Sequence, residues 1–187
     1  MKNNLNRKPN FIIVVVIFII ALFIYGDDEK DDLHTISIII PKIALLDIES
    51  VNSKNVKLKM EAPQEAGDPL ISATDDRIWL NITSVVERGN ARNITVKISE
   101  NIDGIDLKIM SEPYAGSGYG SWGTPQPMIT LNTADQNLVM GIKSGETGDG
   151  AHNGYNLKYV AQSNNTDYGM ITNNNTKDIT VTYTLTH

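Results

Sequence analysis

The chain has 187 residues, no cysteine, 16 Lys+Arg against 22 Asp+Glu, and a formal net charge of −6. That acidic balance argues against nucleic acid and against adhesion to anionic lipid, because phosphates demand a basic face. The lack of cysteine excludes thiol catalysis, Cys-based zinc sites and a disulfide framework.

Residues 11–25, FIIVVVIFIIALFIY, form an unbroken apolar run behind Lys2, Arg7 and Lys8. A basic start followed by such a run is the pattern of an export signal. Fifteen residues of helix reach roughly 22 Å, short of the ~20 residues that usually cross a bilayer core. That favours a cleaved signal. Gly26 suits the position before a cut, but Ile24 is bulky where a small residue is preferred. An uncleaved signal-anchor over Pro9–Gly26 is the alternative. Either way the basic start stays in the cytoplasm and the rest crosses the membrane. No Cys follows the run, so a lipid-modified cysteine is excluded.

The 161 residues after Gly26 carry 13 Lys+Arg against 22 Asp+Glu. They suit one domain with a core large enough to fold without disulfides. Residues 27–34, opening on DDEKDD, read as an acidic linker. The domain is then expected over 35–187. Alternation of period two, the mark of half-buried strands, runs through it in chain order. It places apolar side chains at Ile36/Ile38/Ile40, Val56/Leu58/Met60, Ile94/Val96/Ile98, Ile105/Leu107/Ile109, Tyr155/Leu157/Tyr159 and Ile179/Val181/Tyr183/Leu185. Four less regular apolar runs, 43–48, 78–86, 128–131 and 138–142, are expected strands as well. Pro41 marks a bend, a bulge or an edge, because proline cannot donate to a ladder.

Between these runs, Glu87–Asn90 (ERGN) suggests a hairpin, and Asp103-Gly104 a tight turn. Residues 143–154 and 163–178 are long polar loops. No sustained amphipathic helix follows the N-terminal run. The expectation is an all-β fold: an antiparallel β-sandwich, Ig-like or pilin-like, after an N-terminal hydrophobic export helix.

Few residues point to chemistry. His34, His152 and His187 lack metal-ligand spacing, and no GxSxG elbow marks a nucleophile, so no catalytic residue is assigned and a hydrolase is only a distant alternative. Glu146 and Asp149 in the loop ETGDGAH offer oxygens to a calcium ion, against a solvated Gly-rich turn; neither the EF-hand nor the RTX pattern is present. No cofactor is implied. Residues 113–127, PYAGSGYGSWGTPQP, put Tyr114, Tyr119 and Trp122 in a Gly/Pro-rich loop. Aromatic faces there suit stacking against a sugar, unless Trp122 folds back over the core. Trp79 reads as core or sheet surface. Sequons at Asn81, Asn93, Asn164 and Asn174 are expected to be chance matches in an Asn/Thr-rich chain.

The export signal, the alternating N-terminal segment Thr35–Ile40, the Thr/Asn/Gly-rich body and the closing strand Ile179–Leu185 together carry a resemblance. The chain resembles small secreted bacterial β-sandwich proteins, including fimbrial subunits of the spore coat protein U type. It departs from many fimbrial subunits in having no disulfide. The resemblance implies an extracytoplasmic structural or adhesive protein that self-associates by strand addition. The alternative is a carbohydrate- or ligand-binding module on the loop aromatics, with a glycan as partner. The membrane is touched only through the N-terminal segment. N-terminal sequencing of the native protein is expected to start near Asp27. A full-length membrane-bound form would select the anchor, and a soluble cytoplasmic form beginning at Met1 would overturn export.

Overall fold

The computed structural model describes residues 34–173 and 177–186. The apolar run 11–25, expected to be an export signal, the acidic run 27–32, the sequon at Asn174 and His187 lie outside them. The chain divides into two units, Met1–Ile39 and Ile40–His187. In the first, residues 34–39 are all exposed and none joins a strand.

Among the described residues the second unit is all-β apart from one short 3-10 turn at Tyr168–Met170. Its strands are β1 (Ile43–Ser50), β2 (Ala73–Val85), β3 (Arg92–Ile98), β4 (Ile105–Ser111), β5 (Tyr119–Gly120) and β6 (Thr124–Pro125). They continue with β7 (Ile129–Thr130), β8 (Gln136–Ile142), β9 (Gly145–Glu146), β10 (Tyr155–Ser163) and β11 (Val181–Leu185). One sheet runs β5-β9-β2-β10-β4-β7, with β1 also paired to β2; the other runs β11-β3-β8-β6. Every pairing is antiparallel.

The two sheets share one core, as the alternation requires. Ile78, Leu80 and Ile82 of β2 and Tyr155, Leu157 and Tyr159 of β10 meet Ile94, Val96 and Ile98 of β3 and Leu138, Val139 and Ile142 of β8. Each fully buried aliphatic side chain contributes about 1.5–3 kcal/mol relative to exposure. The fold is therefore a sandwich-like stack of two antiparallel sheets.

The structure departs from the sequence reading in three places. Thr35–Ile40 forms no strand. Its period-two pattern records apolar residues, not a ladder. Val56–Met60 also forms no strand, yet Val56, Leu58 and Met60 are half-buried while Lys57 and Lys59 are exposed. Val56 and Leu58 pack against the core, so alternation there reports burial alone. Glu87–Asn90 closes a turn, with Asn90 N–H donating to the Glu87 carbonyl, but it is not a hairpin. β2 and β3 lie in different sheets. Turn residues set a reversal of direction; whether the next strand pairs in plane or crosses the core depends on which face must be covered.

β2 carries an irregularity against β10. Tyr159 faces Asp75 and Leu157 faces Ile78, so Asp76 and Arg77 oppose the single residue Lys158. The extra residue keeps both Asp75 and Ile78 buried and places Asp76 and Arg77 between them as exposed neighbours. Such bulges re-aim side chains.

Two polar contacts tie the stack together. Arg92, at the start of β3, is 1% exposed. Its Nη1 donates to the Thr186 carbonyl at 2.9 Å and its Nη2 to the Ile43 carbonyl at 3.3 Å. Between the sheets, the hydroxyls of Tyr159 and Tyr183 hydrogen-bond to each other. Burial pushes the Tyr159 phenol up to about 12. Burial, and then the neighbouring Tyr159, hold Tyr183 well above the ordinary tyrosine value.

A raised phenol pKa means the folded state favours the neutral form. Its stabilising contribution is complete below the unfolded value near 10 and is lost as pH rises through the folded value near 12. Thermal stability is expected to hold to about pH 10 and fall steeply from there to about pH 12, with phenolate absorbance near 295 nm rising as the fold is lost. Circular dichroism melts that show no loss across that window would contradict this role for the pair.

Candidate functional site

The loop after β4 and the loop between β8 and β10 pack closely on one another. Ala115 N–H donates to the Gly154 carbonyl and Lys143 N–H to the Ser121 carbonyl. Glycine allows the approach. A Cβ at Gly154, where φ is +88°, would overlap the Leu80 carbonyl, and one at Gly118 would overlap the Glu146 carbonyl. Tyr114 and Trp122 are drawn together here as a stacked pair, ring centroids 4.0 Å apart. Both pack against the core. The Tyr114 hydroxyl accepts from Gly118 N–H at 2.7 Å and donates to the Thr147 carbonyl. The Tyr155 hydroxyl donates to the Trp122 carbonyl, and burial first, with Tyr114 second, raises the Tyr155 phenol above its ordinary value.

Tyr119 does not join the stack: it is 82% exposed, on the two-residue strand β5. The aromatic trio is thus split into a stacked pair and one solvent-facing ring. Glu146 lies on β9, and its carboxylate is held by two backbone donors. Oε1 accepts from Tyr119 N–H at 3.0 Å and Oε2 from Gly148 N–H at 2.8 Å. Asp149 is exposed, and its backbone carbonyl accepts from Asn153 Nδ2. Among the described residues no three His, Cys, Asp or Glu side chains gather closely enough to hold a metal ion. Asn81, in one of the sequons, is buried and donates through Nδ2 to the Gly150 carbonyl.

A different set of side chains lines a groove of about 460 Å³. Trp79 of β2 forms one wall, and His152 meets it ring edge to face, with centroids 5.4 Å apart and planes at 63°. Asp76, Arg77, Glu112 and Asn156 complete the polar part of the lining. Local sequence explains the placement. Ile78, Leu80 and Ile82 point inward, so Trp79 stands on the outer face with Asn156, its partner on β10. His152 has φ +71°, the one non-glycine residue at positive φ among the described residues. Among non-glycine residues, Asn, Asp and His adopt this conformation more often than the others.

The polar groups in the groove are unevenly engaged. Arg77 donates to the buried Asp75 from Nε at 2.8 Å and from Nη2 at 2.5 Å. That pair raises the Arg77 guanidinium above its usual value and neutralises it. Asn156 spends its Nδ2 on the Asp76 and Ile78 carbonyls, which leaves Oδ1 as an acceptor. The carboxylates of Asp76 and Glu112 take part in no hydrogen bond or ion pair among the described residues. The groove therefore combines an indole, an imidazole and two carboxylates, of which Asp76 lies in the field of Arg77.

Sequence reasoning passed over this groove because its residues come from four separate stretches. One signal was present: the parity of Ile78, Leu80 and Ile82 puts Trp79 on the wet face. No family model, curated protein or solved structure matches the chain.

The loop packing yields a test. Gly154→Ala combines a strained φ with a backbone overlap and is expected to destabilise by about 3 kcal/mol. Gly150→Ala, with φ +85° but open space around the new methyl, is expected to cost only about 1 kcal/mol. Urea unfolding of the two variants separates the effects; equal losses would mean the close approach carries no energy.

Proposed function

We propose that the chain is an exported, non-catalytic structural or adhesive protein of the cell surface or periplasm that assembles by strand addition. The observation that supports this reading most is the segment after the linker. Ile36, Ile38, Ile39 and Ile40 are 73%, 81%, 92% and 73% exposed. Burying each would be worth about 1.5–3 kcal/mol, so a short segment holds a large unused driving force. Strand addition uses this kind of stretch: backbone hydrogen bonds supply affinity, and alternate side chains fill pockets.

Two edges of the second unit suit such a strand. β1 pairs only with β2, and β11 only with β3, among the described residues. A long edge with unpaired backbone groups is a template for another chain. On this reading the sandwich is of the Ig-like or pilin-like kind, and the chain is a fimbria-like subunit similar to the spore coat protein U type. The basic, apolar N-terminus supplies export and the acidic linker supplies reach.

The carbohydrate-binding alternative on Tyr114, Tyr119 and Trp122 has less support. Tyr114 and Trp122 spend a ring face on each other, which leaves Tyr119 alone as an open platform. Nothing in the reading requires a catalytic residue, a cofactor or nucleic acid.

The mature chain from Asp27 is expected to form concentration-dependent oligomers in sedimentation velocity. A shortened chain starting at Lys42 removes no strand residue. It is expected to keep its β-sheet circular dichroism, stay monomeric and bind a synthetic peptide of residues 33–42. A mature chain that stays monomeric at high concentration, or a shortened chain that binds no peptide, would rule out strand addition through this segment.

A further inference from the structure

We propose that the groove beside Trp79 binds an amino sugar: a pyranose ring that carries a free, protonated amine. Among the described residues the groove carboxylates of Asp76 and Glu112 take part in no ion pair, and Arg77, whose charge also acts on Asp76 through space, donates its hydrogen bonds to Asp75. A protonated amine at either carboxylate forms charge-assisted hydrogen bonds. The face of Trp79 attracts the same positive charge through its ring quadrupole and also covers the apolar face of a sugar ring.

The remaining lining separates a ring from a plain alkylammonium. Asn156 Oδ1 is an open acceptor. Arg77 Nη1, the guanidinium nitrogen not used on Asp75, is an open donor. The His152 imidazole stands against Trp79. A lysine side chain would engage the carboxylates and the indole but leave these three groups idle. A hexosamine presents hydroxyls to them as well. The groove, about 460 Å³, lies open to solvent. The site is distinct from the Tyr114–Trp122 stack and does not depend on strand addition.

The test is tryptophan fluorescence of the mature chain carrying Trp122→Phe, which leaves Trp79 as the only indole. Glucosamine is expected to change the signal saturably, with a Kd on the order of millimolar. Glucose and N-acetylglucosamine, which lack the charge, are expected to bind at least about tenfold more weakly. Glu112→Gln and Asp76→Asn, both at exposed positions, are each expected to weaken glucosamine about tenfold, and raised salt to weaken it further. Trp79→Leu, followed by calorimetry, is expected to abolish binding. Equal binding of glucose and glucosamine would overturn the amine assignment. Tighter binding of N-acetyl-lysine amide than of glucosamine would overturn the sugar assignment. No saturable change with any of these ligands, or wild-type affinity in both carboxylate variants, would overturn the site.

Discussion

A buried guanidinium holds this sandwich shut. Arg92 opens β3 from inside the protein and donates to carbonyls at the start of β1 and just past the end of β11. Moving a charge out of water is costly unless it is surrounded by acceptors. Arg92 therefore fixes where those two chain segments must lie. Among the described residues they are the first and last strands of the unit, they sit in different sheets, and each pairs on one side only. With both tied to β3, the hydrophobic rows of the two sheets face one another and the core closes. An arginine suits this place because its planar fork reaches more than one acceptor without losing its charge.

The core and the groove are linked through β2. Inward positions continue down that strand only because the bulge at Asp76 and Arg77 corrects the alternation against β10. Without it, Asp75 and Ile78 would fall on opposite faces. With it, Asp75 is buried beside the Tyr159–Tyr183 contact, Arg77 curls back to neutralise it, and Asp76 and Trp79 are turned outward. One extra residue thus supplies both a satisfied buried acid and the polar rim of a surface groove. The loop that carries His152 completes the groove, and Gly154 lets that loop lie against the Leu80 carbonyl.

The two functional readings draw on different parts of the chain. Assembly rests on isoleucines that precede the sandwich and on the free edges of β1 and β11. Ligand binding rests on the outer face of the larger sheet. A sheet with one dry face and one wet face can serve both, because the edges and the outer face are not engaged in the core. The acidic balance of the body is consistent with the groove, whose lining includes Asp76 and Glu112.

Much of the fold was legible in the sequence. Period-two alternation located β3, β4, β10 and β11 to within a few residues, because a half-buried strand imposes that pattern on its own residues. Trp79 read only as core or sheet surface, and the tertiary structure places it half-buried on the outer face. Alternation cannot distinguish a ladder from a segment that merely lies on the core, so Val56–Met60 read as a strand, and neither could it supply Thr35–Ile40 with a ladder partner. ERGN showed a turn but not that the chain crosses to the other sheet. The aromatic loop residues were visible as a group, yet only packing decided that Tyr114 and Trp122 stack while Tyr119 stands apart. The groove was invisible, since Asp76, Glu112, His152 and Asn156 are brought together by the register of β2 on β10 and by a loop closing over it. Composition and periodicity are properties of neighbours in the chain, and they determined the strand class. Which strands share a sheet, which rings meet and which charges converge are properties of neighbours in space, and only the tertiary structure decided them.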